Sequence, residues 1–262
     1  MQVVVSSLTD RRSLRSVLSG VDMILHLASA ENNQPDPDYE SVEVHGTEIL
    51  TKASKDSGVQ RIIFLSRIGA EINSVYPIFR AKAIAEKTIQ NSGLTYDILR
   101  LSDVFGPADH FIYEISRYIR SAPGIIPLPE HGESILQPLW IEDLISAIFI
   151  MIRRKASNNK IIALGGAEFL DFRTILKMVM QTLKKRKPFI PVSPAYLRIY
   201  NLWFRQSKGG FPLSNKWLNL LALNRTCSLD SMPRAFELLP GRLSQFLASP
   251  ELLEQEYTAS VR

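Results

Sequence analysis

The residue types that most often carry chemistry are sparse in this chain. Its four histidines, His26, His45, His110 and His131, have no partner at the spacing of metal ligands, so no metal site is predicted. Cys227 is the single cysteine, which excludes an internal disulfide and any cysteine-rich metal centre.

The glycine pairs 165–166 and 209–210 do not form a dinucleotide-binding turn. Such a turn is a Gly-x-Gly-x-x-Gly or Gly-x-x-Gly-x-x-Gly run between an early strand and a helix, where backbone N–H groups and the helix dipole bind the pyrophosphate. The chain contains no such run. The strongest anchor for a nucleotide phosphate is therefore absent from the given sequence.

Strand and helix patterns alternate along the first hundred residues and would position any site. Apolar, β-branched runs predict strands, while caps and amphipathic spacing predict helices. The predicted elements are strand 2–5, helix 10–18 with Thr9 or Asp10 as cap, strand 21–27, helix 38–57, strand 60–66, helix 77–92 and strand 96–100. This alternation predicts a parallel sheet in a doubly wound α/β domain.

Ligands of such sheets bind beyond the carboxyl ends of the strands. The segments that follow the predicted strands are therefore the first places to look for a site. They are residues 6–8, 28–29, 66–67 and 101–102.

Charge and hydropathy argue against a nucleic-acid-binding protein and against a membrane-spanning one. The net charge is +5 with a pI near 9.3, and basic residues cluster at 153–155 and 184–187, after apolar helical patterns where cations favour a helix C-terminus. No nucleic-acid motif accompanies them, so no nucleic-acid partner is predicted. The longest apolar run, 144–152, is far shorter than the roughly 20 residues that span a bilayer. A cytoplasmic protein, or one peripheral on the inner face of a membrane, is expected.

Several segments together resemble the atypical short-chain dehydrogenase/reductase family, which is NAD-dependent epimerase/dehydratase-like. They are LTDRRSLRSVLSGVDMILHLAS, VHGTEIL, GVQRIIFLSRIGA, FRAKAIAEKTIQNSGLTYDILRLSDVFGPAD and QPLWIEDLISAI. The nearest branch includes the Rossmann-type accessory subunit of respiratory complex I and its bacterial relatives. The resemblance implies a Rossmann-like NAD(P)-binding domain over residues 1–155. It also implies a small, mostly helical substrate or partner lobe over 156–262 that shares sheet and helix elements with the first domain.

Family members carry a strand, a glycine turn, a helix and a second strand before the segment that corresponds to residues 2–10. We therefore expect an N-terminally truncated sheet that lacks its first βαβ unit, through a shortened gene model or as a natural remnant. Truncation is favoured because an exposed edge of β-branched residues is an aggregation hazard. Binding of NAD or NADP is expected to be weakened or lost.

The resemblance also points to catalytic candidates. Active members use Tyr-x-x-x-Lys on a helix, in which the ammonium lowers the phenol pKa. Lys82 matches this lysine, but Ile78 stands at the tyrosine position. Tyr76 lies six residues before Lys82, which places it about 120° from Lys82 around the helix. Ser66 matches the family's hydroxyl residue, whereas Arg67 replaces a further small hydroxyl residue. Ser66, Lys82 and Tyr76 are the catalytic candidates, and the departures argue against strong activity.

Cofactor contacts are implied at the ends of the predicted strands and on the lysine helix. The candidates are Ser7, Leu8, Leu27, Ala28, Ser29, Ser66 and Lys82. From the residues themselves, Lys82 could equally pair with Glu86, four positions later, and Ser66 could cap a turn. His26 is interpreted as a core or ring-stacking residue.

The second half offers two further interpretations. Asp143 is predicted to cap a helix as a structural residue. The stretch 188–223 mixes prolines with tyrosine, tryptophan and phenylalanine, and three interpretations stay open for it: packing of a helical lobe, a pocket wall, or a surface for a larger protein complex or a membrane.

The leading hypothesis is an NAD(P)-binding, Rossmann-type protein without strong catalytic activity and with a structural or assembly role. The alternative is an active NAD(P)-dependent oxidoreductase or epimerase/dehydratase that acts on a small molecule, whose identity the sequence leaves open.

Overall fold

The computed structural model of the protein describes residues 3–32, 37–154, 159–204 and 213–248. The chain divides into two compact units whose segments alternate along the sequence. Unit 1 comprises residues 1–101 and 151–163, and unit 2 comprises residues 102–150 and 164–262.

The strands and helices follow one another closely along the described residues. The strands are β1 (Met23–His26), β2 (Arg61–Arg67), β3 (Thr95–Leu101), β4 (Val104–Phe105), β5 (Ile126–Pro129), β6 (Ile135–Leu136), β7 (Leu139–Trp140), β8 (Lys160–Leu164), β9 (Leu170–Asp171) and β10 (Phe189–Val192). The helices are α1 (Arg11–Val17), α2 (Gly46–Asp56), α3 (Pro77–Gln90), α4 (His110–Ser121), α5 (Ile141–Arg153), α6 (Phe172–Thr182), α7 (Pro194–Phe204), α8 (Asn215–Leu220), α9 (Ser231–Phe236) and α10 (Leu243–Leu247). A π-helical stretch, Glu40–His45, leads directly into α2.

The main sheet has the order β1-β2-β3-β8, and β2 pairs in parallel with both β1 and β3. Three helices share one apolar core with this sheet. That core includes Leu14 of α1, Leu50 and Ala53 of α2, Ala85 and Ile89 of α3, and Ile62, Phe64 and Ile98 of the strands. The Rossmann-like parallel sheet with flanking helices is confirmed.

Local signals set the ends of these helices. The Asp10 side chain accepts hydrogen bonds from the N–H groups of Arg12 and Ser13, as an N-cap should. Pro77 is the first residue of α3, where its missing N–H costs nothing. Gly58, just after α2, has φ +81°, a conformation that side chains with a Cβ rarely adopt. The helices predicted from these signals are confirmed.

The predicted buried strand at residues 2–5 is wrong for the described valines. Val3, Val4 and Val5 form no strand and are 76%, 50% and 95% exposed. A β-branched run becomes a strand only when a neighbouring strand pairs with it and an apolar layer covers it. In the described part of the chain the sheet begins at β1, so these valines have neither.

Unit 2 is built mainly of helices and three two-stranded sheets, β10-β5, β4-β7 and β6-β9. Its core includes Phe105, Ile112, Leu136, Phe172, Leu176 and Trp217. Within the basic cluster 184–187, Lys187 Nζ donates to the carbonyls of Ile119 and Ala122 at the end of α4. This contact is the cation-to-helix-end pairing expected for that cluster, although the helix is α4 rather than the preceding α6.

The predicted capping role of Asp143 is wrong, because α5 begins two residues earlier, at Ile141. Asp143 Oδ2 instead accepts a hydrogen bond of 2.7 Å from the backbone N–H of Gly241, so the carboxylate ties α5 to a distant loop. Burial raises its pKa. Its interpretation as a structural residue fits this contact.

Among the described residues, no helix is both long enough and apolar enough to span a bilayer.

A buried ion pair in unit 2 allows a test of the fold. Arg225 is fully buried, and its Nε and Nη2 donate to Asp103 Oδ2 at 3.1 and 2.7 Å. Arg225→Met removes the cation from a carboxylate that stays buried, so we expect the free energy of unfolding to fall by about 3–5 kcal/mol in urea denaturation. Arg234→Met removes an exposed pair with Asp230 and should leave the free energy of unfolding nearly unchanged. Equal losses in the two variants would contradict the structural role of Arg225.

Candidate nucleotide-binding site

The candidate site lies at the carboxyl ends of β1 and β2, and a buried carboxylate organises it. Glu43 is fully buried and its Oε1 accepts hydrogen bonds from Ser29 Oγ at 2.7 Å and from the N–H of Ala30 at 3.2 Å. Its Oε2 lies 2.8 Å from Lys82 Nζ. One carboxylate therefore joins the turn after β1 to the lysine of α3.

Lys82 is enclosed. Its side chain is 4% exposed, and besides the Glu43 carboxylate the ammonium lies 3.4 Å from the carbonyl oxygen of Leu65 and 5.2 Å from the centroid of the Phe64 ring. An aromatic face stabilises a cation held over it. The ammonium is thus surrounded by groups of unit 1 that satisfy its charge.

Glu43 lies within the π-helical stretch Glu40–His45, and the geometry of this stretch affects the direction of its side chain. A π turn widens the helix and shifts the direction of the side chains that follow, and such turns often occur at functional sites. Glu43 precedes Thr47 by four residues and Leu50 by seven, so it continues the buried face of α2. An acidic side chain on that face must find a cation, and Lys82 supplies it.

A second carboxylate network surrounds Ser66. Ser66 Oγ donates to Glu86 Oε1 at 2.5 Å, and Arg100 binds both oxygens of Glu86, at 2.9 and 2.7 Å. The suggested pairing of Lys82 with Glu86 is therefore wrong, because Glu86 binds Arg100 and Lys82 binds Glu43. Ser66 does not cap a turn but links β2 to α3.

Arg67 extends the cluster towards the turn after β1. Its Nη1 lies 3.2 Å from Glu31 Oε2, with both side chains mostly buried. The charge of Glu31 also acts on Tyr39. Burial, and then the Glu31 carboxylate, raise the pKa of the Tyr39 phenol well above its usual range. A phenol with a raised pKa stays protonated near neutral pH and is a poor proton acceptor.

His26 is a core residue, as interpreted from the sequence. Its ring stacks on Phe64 with centroids 5.1 Å apart, and Nε2 lies 3.1 Å from Thr47 Oγ1. Burial, and then the charge of Lys82, lower the pKa of His26 to about 4. The imidazole is therefore neutral at physiological pH.

The other predicted residues lie apart from the contacts of Glu43. Ser7 Oγ lies 2.8 Å from Thr9 Oγ1 in the turn before α1, and Leu8 packs against Gly46. Leu27 is 55% exposed, and Ala28 precedes the Glu43-bound turn.

Tyr76 immediately precedes α3 and meets the Phe79 ring edge-on, with centroids 6.3 Å apart. Ile78, at the position where the family resemblance implies a tyrosine in active members, is 1% exposed and packs in the core.

Of the predicted residues, the structure thus brings Ser29 and Lys82 together on one carboxylate and places Ser66 on the neighbouring one. Sequence reasoning missed Glu43 and Arg100, which complete the two networks. The signal for Glu43 was its place seven residues before Leu50 on the apolar face of a predicted helix. A carboxylate at such a position requires a buried partner.

The residues present do not fit a nicotinamide ribose at Lys82. A lysine that binds ribose hydroxyls must present its ammonium to the ligand, whereas this ammonium is 2.8 Å from Glu43 and nearly inaccessible. The hydroxyl of Ser29 is likewise directed to Glu43. In this arrangement both polar groups are bound to the carboxylate of Glu43.

Comparison with known proteins agrees with the fold. Residues 1–105 match a family model described as NAD(P)H-binding. The chain is 27% identical over 234 residues to NADH dehydrogenase [ubiquinone] 1 alpha subcomplex subunit 9, mitochondrial, of Mus musculus, covering 88% of this chain and 59% of that protein. It is 28% identical over 104 residues to a photosystem II assembly factor of Cyanophora paradoxa, covering 40% of this chain and 32% of that protein.

A solved structure of similar fold is a double mutant of a dTDP-glucose 4,6-dehydratase from Streptomyces venezuelae with NAD bound. Its TM-score is 0.72 at 19% identity, covering 97% of this chain and 80% of that one. The resemblance to NAD(P)-binding, epimerase/dehydratase-like proteins and to the complex I subunit is thereby confirmed. The chain spans about half the length of the complex I relatives it matches.

The Glu43–Lys82 pair should be a major determinant of stability. Lys82→Met and Glu43→Gln each remove one member of a buried pair, and Lys82→Met should lower the free energy of unfolding by about 3–5 kcal/mol. The double variant should recover most of that loss, because no buried charge is left unpaired. Lys52→Met, which breaks an exposed pair with Glu48, is the control and should cost less than about 1 kcal/mol. Additive losses in the double variant would argue against the pair.

The lowered pKa of His26 predicts a pH dependence of stability. Below about pH 6.5 the unfolded chain takes up a proton at His26 that the folded protein accepts only near pH 4. The free energy of unfolding should therefore fall as the pH drops from 6.5 to 4, by about 3 kcal/mol for a shift of this size. In His26→Gln this part of the slope should vanish, whereas exposed His131→Gln should retain it. Urea denaturation across this pH range measures both slopes, and an unchanged slope in His26→Gln would contradict the assignment.

Proposed function

We propose that this chain is an NAD(P)-binding, short-chain dehydrogenase-like protein that has lost hydride-transfer chemistry and has a structural or assembly role in a larger complex. The observation that carries the proposal is the buried Glu43–Lys82 pair, with both side chains less than 5% exposed. A lysine neutralised in this way can neither hold a ribose nor lower the pKa of a phenol. Ile78 offers no phenol at the matching position.

The named relatives support the structural role. The mouse relative is named as a subunit of an NADH dehydrogenase, and the Cyanophora relative as a photosystem assembly factor. We assign the same kind of role to this chain, with residues 1–155 as the nucleotide-binding part and 156–262 as the partner lobe.

The nucleotide is NAD or NADP, held weakly. Ser7, Leu8, Leu27, Ala28 and Ser29 are the residues to which we assign the remaining contacts, because ligands of parallel sheets bind beyond the carboxyl ends of the strands. The match of residues 1–105 to an NAD(P)H-binding family model supports this assignment. Glycine-turn N–H groups, which supply much of the phosphate affinity elsewhere, are not among the given residues.

The second candidate function is an active oxidoreductase or epimerase/dehydratase that uses Ser66, Lys82 and Tyr76 on a small molecule. The retention of Ser66 and Lys82 favours it, as does the likeness in fold to a dehydratase. It requires Lys82 to leave Glu43 when substrate binds, at the cost of an unpaired buried carboxylate.

We further propose that residues 188–223 form the surface that contacts the larger complex or a membrane; of this range, 205–212 lie outside the residues that the structure describes. The protein would then be cytoplasmic or peripheral on the inner face of that membrane.

Calorimetric titration with NADH and NADPH tests the ribose argument. Glu43→Gln frees the Lys82 ammonium for a ligand hydroxyl, and one charge-assisted hydrogen bond corresponds to a gain of roughly tenfold in affinity. Lys82→Met/Glu43→Gln should return the affinity to the wild-type value, and exposed Glu48→Gln is the matched control. Absence of any gain in Glu43→Gln would contradict the blocking role of Glu43.

A hydride-transfer assay separates the two candidate functions. Wild-type protein should show no turnover with either nucleotide. Turnover that Lys82→Ala abolishes would establish the enzyme and refute the structural proposal.

A further inference from the structure

Helix α7 is anchored by one face. Leu197 is 4% exposed, and Asn201, four residues later, donates through Nδ2 to the carbonyl oxygen of Leu213 at 3.0 Å. Arg198 Nη2 donates to Asn219 Oδ1 at 3.1 Å. These contacts fix the rotation of the helix within unit 2.

The opposite face of α7 is apolar and exposed. Tyr196, Ile199, Leu202 and Trp203 are 72%, 54%, 70% and 80% exposed. We call these four residues the α7 stripe. Their spacing of three, three and one residues places them side by side on an α-helix. Covering these side chains would remove apolar area from water, which is favourable. Adjacent exposed apolar side chains of this kind mark a surface that contacts another molecule.

The segment around α7 is acid-free. Residues 172–229 contain eleven Lys or Arg and no Asp or Glu, whereas the rest of the chain contains 20 Lys or Arg against 26 Asp or Glu. The positive net charge of the protein thus comes from this segment. Exposed Lys184, Lys185 and Arg186 end eight residues before Pro194, so the chain keeps them within about 28 Å of the start of α7.

We propose that the α7 stripe docks on the surface of an anionic lipid bilayer. Tyrosine and tryptophan have an apolar ring with a polar group, and such side chains favour the headgroup level of membranes. The cations of the acid-free segment would attract anionic lipid, and the apolar side chains of the stripe would insert into the headgroup region. This inference rests on the proposed contact role of residues 188–223 and commits that role to lipid.

Vesicle co-sedimentation of the full chain tests the docking. Binding to vesicles that contain phosphatidylglycerol should exceed binding to pure phosphatidylcholine by at least about tenfold. Tyr196→Ser/Trp203→Ser should lose most of this binding. Ile145→Ser/Phe149→Ser, which removes exposed apolar side chains from α5, is the matched control and should bind like the wild type.

A second matched pair of variants tests the electrostatic attraction to anionic lipid. Lys184→Gln/Lys185→Gln/Arg186→Gln should weaken binding to anionic vesicles by at least about tenfold, with little change on neutral ones. Arg12→Gln/Lys55→Gln/Lys87→Gln removes the same charge from exposed positions of unit 1 and should have a much smaller effect. Thermal unfolding of each variant checks that it is folded.

Tryptophan fluorescence reports on the stripe directly. Trp203 is 80% exposed, whereas Trp217 is buried and Trp140 is half-buried, so a blue shift on addition of anionic vesicles would come from Trp203. Trp203→Phe should abolish the shift while it retains most of the binding.

Three outcomes overturn the inference: no binding to anionic vesicles, equal binding by the stripe variant and its α5 control, or a blue shift that persists in Trp203→Phe. In each case the contact proposed for residues 188–223 would be with a protein partner instead. The affinity for NADH and NADPH tests the proposed function separately, because it does not depend on lipid binding.

Discussion

A buried charge must be paired, and this requirement shapes both units of the protein. In unit 1 it joins elements distant in sequence, because a carboxylate excluded from water costs several kcal/mol unless a cation compensates it. Mostly buried pairs among the described residues include Glu43–Lys82, Glu86–Arg100, Asp97–Arg61 and Glu31–Arg67 in unit 1 and Asp103–Arg225 in unit 2. Each joins different strands, helices or loops, so the pairs fix the register of elements that the apolar cores only bring near one another.

The same requirement decides what the site can do. A lysine that serves a reaction must exchange its partner for a ligand, and the energy of that exchange is small when the resting partner is water. Lys82 would instead have to leave a fully buried carboxylate. Lys82, which the family resemblance assigns to catalysis, therefore lies in the environment of a structural ion pair. Such a pair gives the lysine a role that needs no phenol at position 78.

Most of the fold of unit 1 could be predicted because its signals are local. Asp10, Pro77 and Gly58 act within one turn of the helix ends they define. Short apolar runs mark β1 to β3, at residues 23–25, 62–65 and 98–99. The valines at 3–5 carry the same local signal, but a strand also needs a neighbour, which no local pattern contains. Glu43 was missed for a related reason: its partner is 39 residues away, and only the folded chain shows that a lysine expected to face a ligand lies beneath the turn after β1.

The distribution of charge separates the roles of the two parts of the chain. In the rest of the chain Asp and Glu outnumber Lys and Arg by 26 to 20, and some of these carboxylates pair with cations of the sheet, as Glu86 does with Arg100 and Asp97 with Arg61. Where they are absent, over residues 172–229, a few cations are used internally, as Lys187 is at the end of α4 and Arg225 with Asp103. The exposed lysines and arginines of this segment have no acidic neighbour in sequence to compensate them. A fold needs no such excess for its own stability, since surface cations contribute little and repel one another. The excess is therefore best understood as a property of the surface that this segment presents, next to a helix whose outer face is already apolar.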